Sequence, residues 1–183
     1  MPAKLCTAPR LRAWSFAFGA LLLPGLSSAA EQLLSAAQAP AAPSCALTVQ
    51  GDPAPSSLNK YFGQVIYVDF WASWCGPCRQ SFPFMNQLQS EFADHGLAVL
   101  AINLDEEAAD AQNFLATHPA SFKVVQGSNQ ACAASFHVEA MPSSYLIDRA
   151  GKLRYIHHGF RAGDVNVLRE LTAALVAEPV ATP

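Results

Sequence analysis

Residues 65–70, VIYVDF, are β-branched and aromatic, and they lead into Trp74-Cys75-Gly76-Pro77-Cys78 at the mouth of a helix-period stretch. A run of that composition reads as a buried central strand. From Pro77 to about His95, Phe82, Met85, Leu88 and Phe92 recur at helical spacing, so the second cysteine opens a helix that must bury one face on the strand. Pro77 suits a helix start because it has no N–H to lose there. Pro83 removes a backbone donor and is expected to kink the first part of the helix, and Gly96 is placed to end it.

That context sets the chemistry. Cys75 falls at a helix N-terminus, where unpaired N–H groups and the macrodipole favour a thiolate. The expected role of Cys75 is attack on a partner disulfide, giving a mixed disulfide. Cys78, one turn inward, then displaces the partner and closes an intramolecular disulfide. A C-x-x-C pair can also be half of a zinc site, but no second C-x-x-C or spaced histidine pair accompanies it. A purely structural bridge over two residues would restrict little chain entropy. His157-His158 invites a metal reading too, but neighbours on a strand face opposite sides, so no metal site is assigned.

The remaining elements follow from pattern. Ala46 to Val49 reads as a short first strand before Gly51-Asp52-Pro53 turn chemistry, and Leu97 to Leu104 as a second buried strand. Ala108 to Thr117 reads as a helix that stops ahead of Pro119. Phe122 to Val125 is a short strand and Gln130 to Phe136 a short helix. Ser143 to Ile147 and Leu153 to His157 form a hairpin across Asp148-Arg149-Ala150-Gly151, and Val165 to about Ala177 is the closing helix. The order βαβαβαββα predicts an α/β fold, a mixed central sheet flanked by helices.

Composition bounds the rest. The 183 residues are 51% hydrophobic, enough for one domain with a real core, and the net charge of −3 comes without a basic run, so nucleic acid is not an expected partner. Lys4, Arg10 and Arg12 precede the apolar stretch Ala13 to Leu23, Pro24-Gly25 breaks it, and Ser28-Ala29-Ala30 supplies small residues. Residues 1–30 thus read as a signal peptide cleaved near Ala30. The apolar stretch falls short of the roughly 20 residues a membrane span needs, and an uncleaved anchor facing the periplasm is the alternative. Residues 31–44, rich in Ala, Pro, Gln and Ser, read as a flexible leader, 45–178 as the folded domain and 179–183 as a tail.

The stretch Val68-Asp69-Phe70-Trp71-Ala72-Ser73-Trp74-Cys75-Gly76-Pro77-Cys78 resembles the active-site strand and helix start of thioredoxins. From about Cys45 to Val176 the chain looks more like the exported TlpA/ResA-type branch of that superfamily. Pro142 stands 64 positions after Cys78, room for the extra βα insertion this branch carries between the C-x-x-C helix and the cis-proline loop. Met141-Pro142-Ser143-Ser144-Tyr145-Leu146-Ile147-Asp148, with Gly151-Lys152, resembles the branch's Pro-Thr-Thr-Phe-Leu-Ile-Asp-x-x-Gly segment.

The resemblance implies roles for particular residues. Asp69 matches the thioredoxin aspartate that lies beneath the second cysteine and moves protons to and from its sulfur. By physics alone, a carboxylate in this apolar run either titrates high or is exposed on an edge. Glu106, in Ile102-Asn103-Leu104-Asp105-Glu106, resembles a functional glutamate of ResA-type proteins; Asp105-Glu106 equally reads as the cap and first turn of the next helix. Pro142 is the implied cis-proline, with Met141 pairing its backbone to an extended partner chain. Trp74, Gly76 and Pro77 form the surface beside Cys75, whereas Trp71 is packing.

Cys6 leaves with the signal, so Cys45 and Cys132 remain beside the dithiol. In an oxidising compartment a structural disulfide between them is expected, two separate buried thiols being the alternative. Gly-Pro between the cysteines resembles thioredoxin, the reducing end of the potential range, so the expected activity is a periplasmic disulfide reductase that needs no cofactor. The branch implies protein thiols or disulfides as substrates, apocytochrome c or copper-site cysteines among them, and a membrane-embedded reductase as electron donor. A copper carrier would need Cys-Pro-x-x-x-Cys with a distant histidine. A peroxiredoxin-like peroxidase would be expected to lack the second cysteine at this spacing.

Overall fold

A computed structural model describes residues 32–50, 56–125 and 130–179. The expected signal segment 1–30, the expected turn at Gly51-Asp52-Pro53 and all but the first residue of the 179–183 tail lie outside the described residues. Two short strands, β1 (Ala46–Leu47) and β2 (Ser56–Ser57), pair antiparallel and lead through a 3-10 turn over Leu58–Tyr61 to β3 (Val65–Trp71). Then follow α1 (Gly76–Phe92), β4 (Leu97–Asn103), α2 (Ala108–Thr117), β5 (Lys123–Val125) and α3 (Gln130–Ser135). The hairpin β6 (Ser143–Ile147) and β7 (Leu153–His158) and the helix α4 (Asp164–Ala177) close the chain.

The five-stranded sheet has the order β5-β4-β3-β6-β7. β3 pairs parallel with β4 and antiparallel with β6, β4 pairs parallel with β5, and β6 pairs antiparallel with β7. This is a thioredoxin-like mixed sheet, and β5 with α3 supplies the expected βα insertion at one edge. Both central strands are buried on both faces, as their largely apolar runs require.

Side chains alternate across β3 and so divide the core in two. Val65, Tyr67 and Trp71 face α1, α4 and part of α2, with Phe82, Met85, Leu88, Phe114, Leu168 and Leu175. Ile66, Val68 and Phe70 face the opposite layer with Leu47, Leu58, Phe136 and Tyr145. Trp71 lies against Phe82 and Phe114, ring centroids 4.8 and 4.9 Å away, and anchors the end of β3 from which the dithiol loop departs. Pro83 stands inside α1 without ending it, and a 3-10 turn over Ala93–His95 followed by Gly96 at φ 85° stops the helix.

The residues expected to form a flexible leader are held. Leu34 N–H donates to the Arg154 carbonyl, Ala42 N–H to Gly151 and Leu153 N–H to Pro40, each at 2.8 to 2.9 Å, with a bridge between Ala41 and Lys152. Further on, Val49 bridges to Val125 and Gln50 N–H donates to the Val124 carbonyl. Its Ala/Pro composition hides this, because the attachment is made by backbone groups and by Leu33, Ala39, Ala42 and Leu47 packing on the body.

Candidate active site

The dithiol sits where β3 hands over to α1. Cys75 is the N-cap residue, in extended conformation, and its Sγ accepts from the Cys78 N–H at 3.2 Å. Cys75 and Cys78 are joined by a disulfide with Cα atoms 5.3 Å apart, so this is the oxidised form. Cys75 is 5% exposed and Cys78 is fully buried, which gives the two sulfurs different work: only the first can meet a partner. A thiolate at the Cys75 position would receive the Cys78 N–H and the positive end of α1. Trp74 stands 72% exposed beside it, and a Cβ added at Gly76 would meet nothing, so the surface around Cys75 is open.

The Met141–Pro142 bond is cis. Pro142 is buried, and its carbonyl accepts from Gly159 N–H at 2.8 Å. The Ser143 hydroxyl donates to the Ala140 carbonyl at 2.8 Å and lies 3.0 Å from His158 Nδ1, so the loop is pinned at both ends. Met141 and Trp74 line one groove of about 410 Å3 together with Leu104, Glu106, Asp110 and Gln130. The site residues expected from the cysteine motif and from the proline loop therefore meet across one surface.

Asp69 is fully buried on central β3, with Ala101 of β4 on one side and Ser144 of β6 on the other. It is not on an edge. It lies between Tyr67 and Trp71 on the face that α1 covers, the layer in which Cys78 is buried. Its Oδ1 accepts from the Ser144 hydroxyl at 2.6 Å, while Oδ2 is buried with no partner among the described residues. Burial pushes its carboxyl up to about 7, against the opposing pull of the Ser144 hydrogen bond.

The carboxylates after β4 part company, one buried and one exposed. Asp105 turns inward: it accepts from the Ser73 N–H at 3.0 and 3.1 Å, the Ser73 hydroxyl at 3.0 Å and the Asn103 side-chain amide at 2.7 Å. It thereby holds the turn that carries Trp74 and Cys75. Glu106 is exposed on the groove rim, and the N-cap of α2 is Glu107, which makes no side-chain capping bond. Neither Asp105 nor Glu106 caps α2. Asp105 and Ser144 went unread as functional residues in the sequence. The signal available was an aspartate just after one strand and a serine within another, without any pattern that names their partners.

Cys45 and Cys132 are joined in a second disulfide, Cα atoms 5.2 Å apart, tying the segment before β1 to α3. The adjacent histidines part company. His157 Nε2 lies 3.2 Å from Asp164 Oδ2 at the start of α4, and His158 turns to Ser143.

Residues 36–172 match the Redoxin family. A thiol-disulfide oxidoreductase ResA from Bacillus thuringiensis is 31% identical over 96 residues, covering 52% of this chain and 56% of the relative. A thioredoxin-like protein YneN from Bacillus subtilis is 36% identical over 110 residues, 57% of this chain and 62% of the relative. The chain thus spans somewhat more than half the length of the curated relatives it matches. Among solved structures, a Chlorobium tepidum protein assigned as the thiol:disulfide interchange protein DsbE is 42% identical. It superposes with a TM-score of 0.72, over 76% of this chain and 97% of that one.

Proposed function

The chain belongs to the redoxin family, among the ResA-like thiol–disulfide oxidoreductases of the thioredoxin superfamily, and from that membership we propose that it is an exported reductase of protein disulfides. One observation carries the proposal: an N-capping Cys75 is paired with buried Cys78, and its neighbour Trp74 shares an open groove with Met141 of the cis Met141–Pro142 bond.

In the reduced protein the Cys75 thiolate attacks one sulfur of a partner disulfide, and the other partner sulfur leaves as a thiolate. An extended partner chain lies in the groove between Trp74 and Met141, where the Met141 backbone offers strand-like pairing. Cys78 then gives its proton to the Asp69 carboxylate and attacks the Cys75 sulfur, expelling the partner's second thiol. The partner gains two electrons, and the protein is left as the Cys75–Cys78 disulfide. Reloading reverses the step, with Asp69 returning a proton to the departing Cys78 sulfur. A carboxyl that titrates near 7 suits both directions, because it is neither fully ionised nor fully neutral at working pH. Glu106, on the exposed rim, meets the partner chain and takes no part in this transfer.

The positive segment, the apolar stretch and the small residues ahead of Glu31 support export to the periplasm. There a reductase draws electrons from a membrane-embedded donor, and its substrates are cysteines of apocytochrome c or of a copper site. The Gly76-Pro77 dipeptide supports the reducing direction. The reduction potential of the 75–78 couple tests it. A value near −270 mV is expected, roughly thioredoxin's, and a value near −120 mV, roughly that of a strong oxidase, would overturn the direction. Substrates are identified by expressing Cys78→Ser, which stalls at the mixed disulfide, and by identifying the trapped protein.

A further inference from the structure

We infer that Ser144 is a positioning residue for the dithiol reaction: its hydroxyl, held by Tyr67, engages Asp69 Oδ1 and leaves Oδ2 as the one oxygen that exchanges a proton with Cys78. The inference rests on the proton-transfer role given to Asp69 above.

Hydrogen-bond direction follows from elementary inventory. An ionised carboxylate only accepts, so the Ser144 hydroxyl must donate to Asp69 across their 2.6 Å contact. Its oxygen is then free to accept, and Tyr67 OH lies 2.9 Å from it as donor. Tyr67 is fully buried and its phenol is pushed well above its ordinary value by burial and by the nearby Asp69 charge, so it stays a donor throughout the working range. The two bonds form a directed chain, Tyr67 to Ser144 to Asp69, that fixes the carboxyl's orientation. When Asp69 takes the Cys78 proton, Oδ1 still accepts from Ser144, so the new O–H forms on Oδ2. That oxygen is buried and has no other partner among the described residues.

Among the described residues, no other side chain hydrogen-bonds the carboxyl. Its register neighbour on β4 is Ala101, which offers no charge or hydrogen bond, and α1 brings Cys78 to this face. The charges of Asp164, at the start of α4, and of Tyr155, on β7, act on Tyr67, and Asp164 is itself paired with His157. Burial and the Ser144 hydrogen bond are what act on the Asp69 carboxyl, and among the described residues no cation stands against it. Ser144 sits two residues after the cis-proline, and the same strand therefore sets both the partner loop and the proton group.

The test follows the Asp69 carboxyl itself by carbon-13 NMR on oxidised, aspartate-labelled protein, with Asp69→Asn to identify the signal. Ser144→Ala removes a hydrogen bond that favours the charged form, so the titration midpoint is expected to rise by about one pH unit. Ser144→Thr, which keeps the hydroxyl, should restore the original midpoint. An unchanged midpoint in Ser144→Ala, or an equal rise in Ser144→Thr, would overturn the inference. If Ser144→Ala does not fold, Tyr67→Phe carries the prediction, with a smaller rise expected and an unmoved midpoint overturning it. Turnover of a disulfide substrate, followed against pH in the same variants, is expected to shift with the midpoint. A shifted midpoint with an unshifted turnover profile would uphold the hold of Ser144 on Asp69 and remove Asp69 from the reaction.

Discussion

Asp69 couples the redox site to folding. Its carboxyl titrates at about 7 in the folded chain, raised by burial from an ordinary value of 3.8, so the folded state holds a proton that the unfolded chain has released between those limits. The stability this proton contributes is complete below about pH 4 and is lost as pH rises through 7, the reverse of an aspartate held by a cation. Three units correspond to about 4 kcal/mol. Asp69→Asn cannot ionise, so its stability relative to the native chain is expected to rise by about that amount from pH 4 to pH 8. Urea unfolding of the oxidised proteins at the two pH values measures it; parallel pH dependences would show that Asp69 is ionised throughout. The resemblance of residues 68–78 to the thioredoxin active-site strand pointed at this residue, while the apolar run alone left it either titrating high or exposed on an edge. Its orientation was not legible, because the Ser144 hydroxyl that sets it is 75 positions away in sequence.

The elements that frame the site were legible where periodicity is strong. Val65 to Phe70 and the Phe82, Met85, Leu88, Phe92 face place β3 and α1 to within a residue or so at their junction, because each must bury a continuous apolar surface. The loop between them was not. Asp105 reads locally as a helix cap, yet its carboxylate turns back to Ser73, 32 residues earlier, and no short-range pattern marks such a bond. That carboxylate is nearly buried and takes three groups at once, so its removal leaves the Ser73 N–H without this acceptor. Asp105→Ala is expected to cost about 2–4 kcal/mol, in the range for breaking a buried charged hydrogen-bond set. It should also slow attack by Cys75, since the turn bearing Trp74 and Cys75 loses its tie to β4. Chemical denaturation and the rate of partner-disulfide reduction check the two halves separately, and a stability unchanged within about 0.5 kcal/mol would show that the tie holds nothing.

At the scale of the whole molecule, the N-terminal segment guards the sheet. An open sheet presents unpaired backbone groups at both edges, which recruit other chains unless they are covered. Residues 34–42 bond to the start of β7 at one edge, and Val49 and Gln50 bond to β5 at the other. Between them Leu47 is buried in the layer beneath, and Cys45 is bonded to Cys132 of α3. That disulfide spans 87 residues and joins the segment to the insertion that most distinguishes this fold from a minimal thioredoxin. Closing so long a loop restricts the unfolded chain, a contribution of about 4 kcal/mol by the loop-entropy argument. The double variant Cys45→Ala/Cys132→Ala is therefore expected to lose roughly 2–5 kcal/mol while keeping the 75–78 couple, because it leaves the β3–α1 junction untouched. It should also aggregate more readily on mild heating, as the freed segment exposes the edges of β5 and β7. Urea midpoints, light scattering on heating and the potential of the 75–78 couple give three independent readouts. A variant as stable as the native chain would mean that backbone bonds alone hold the segment in place, and a shifted potential would mean that the insertion reaches the dithiol.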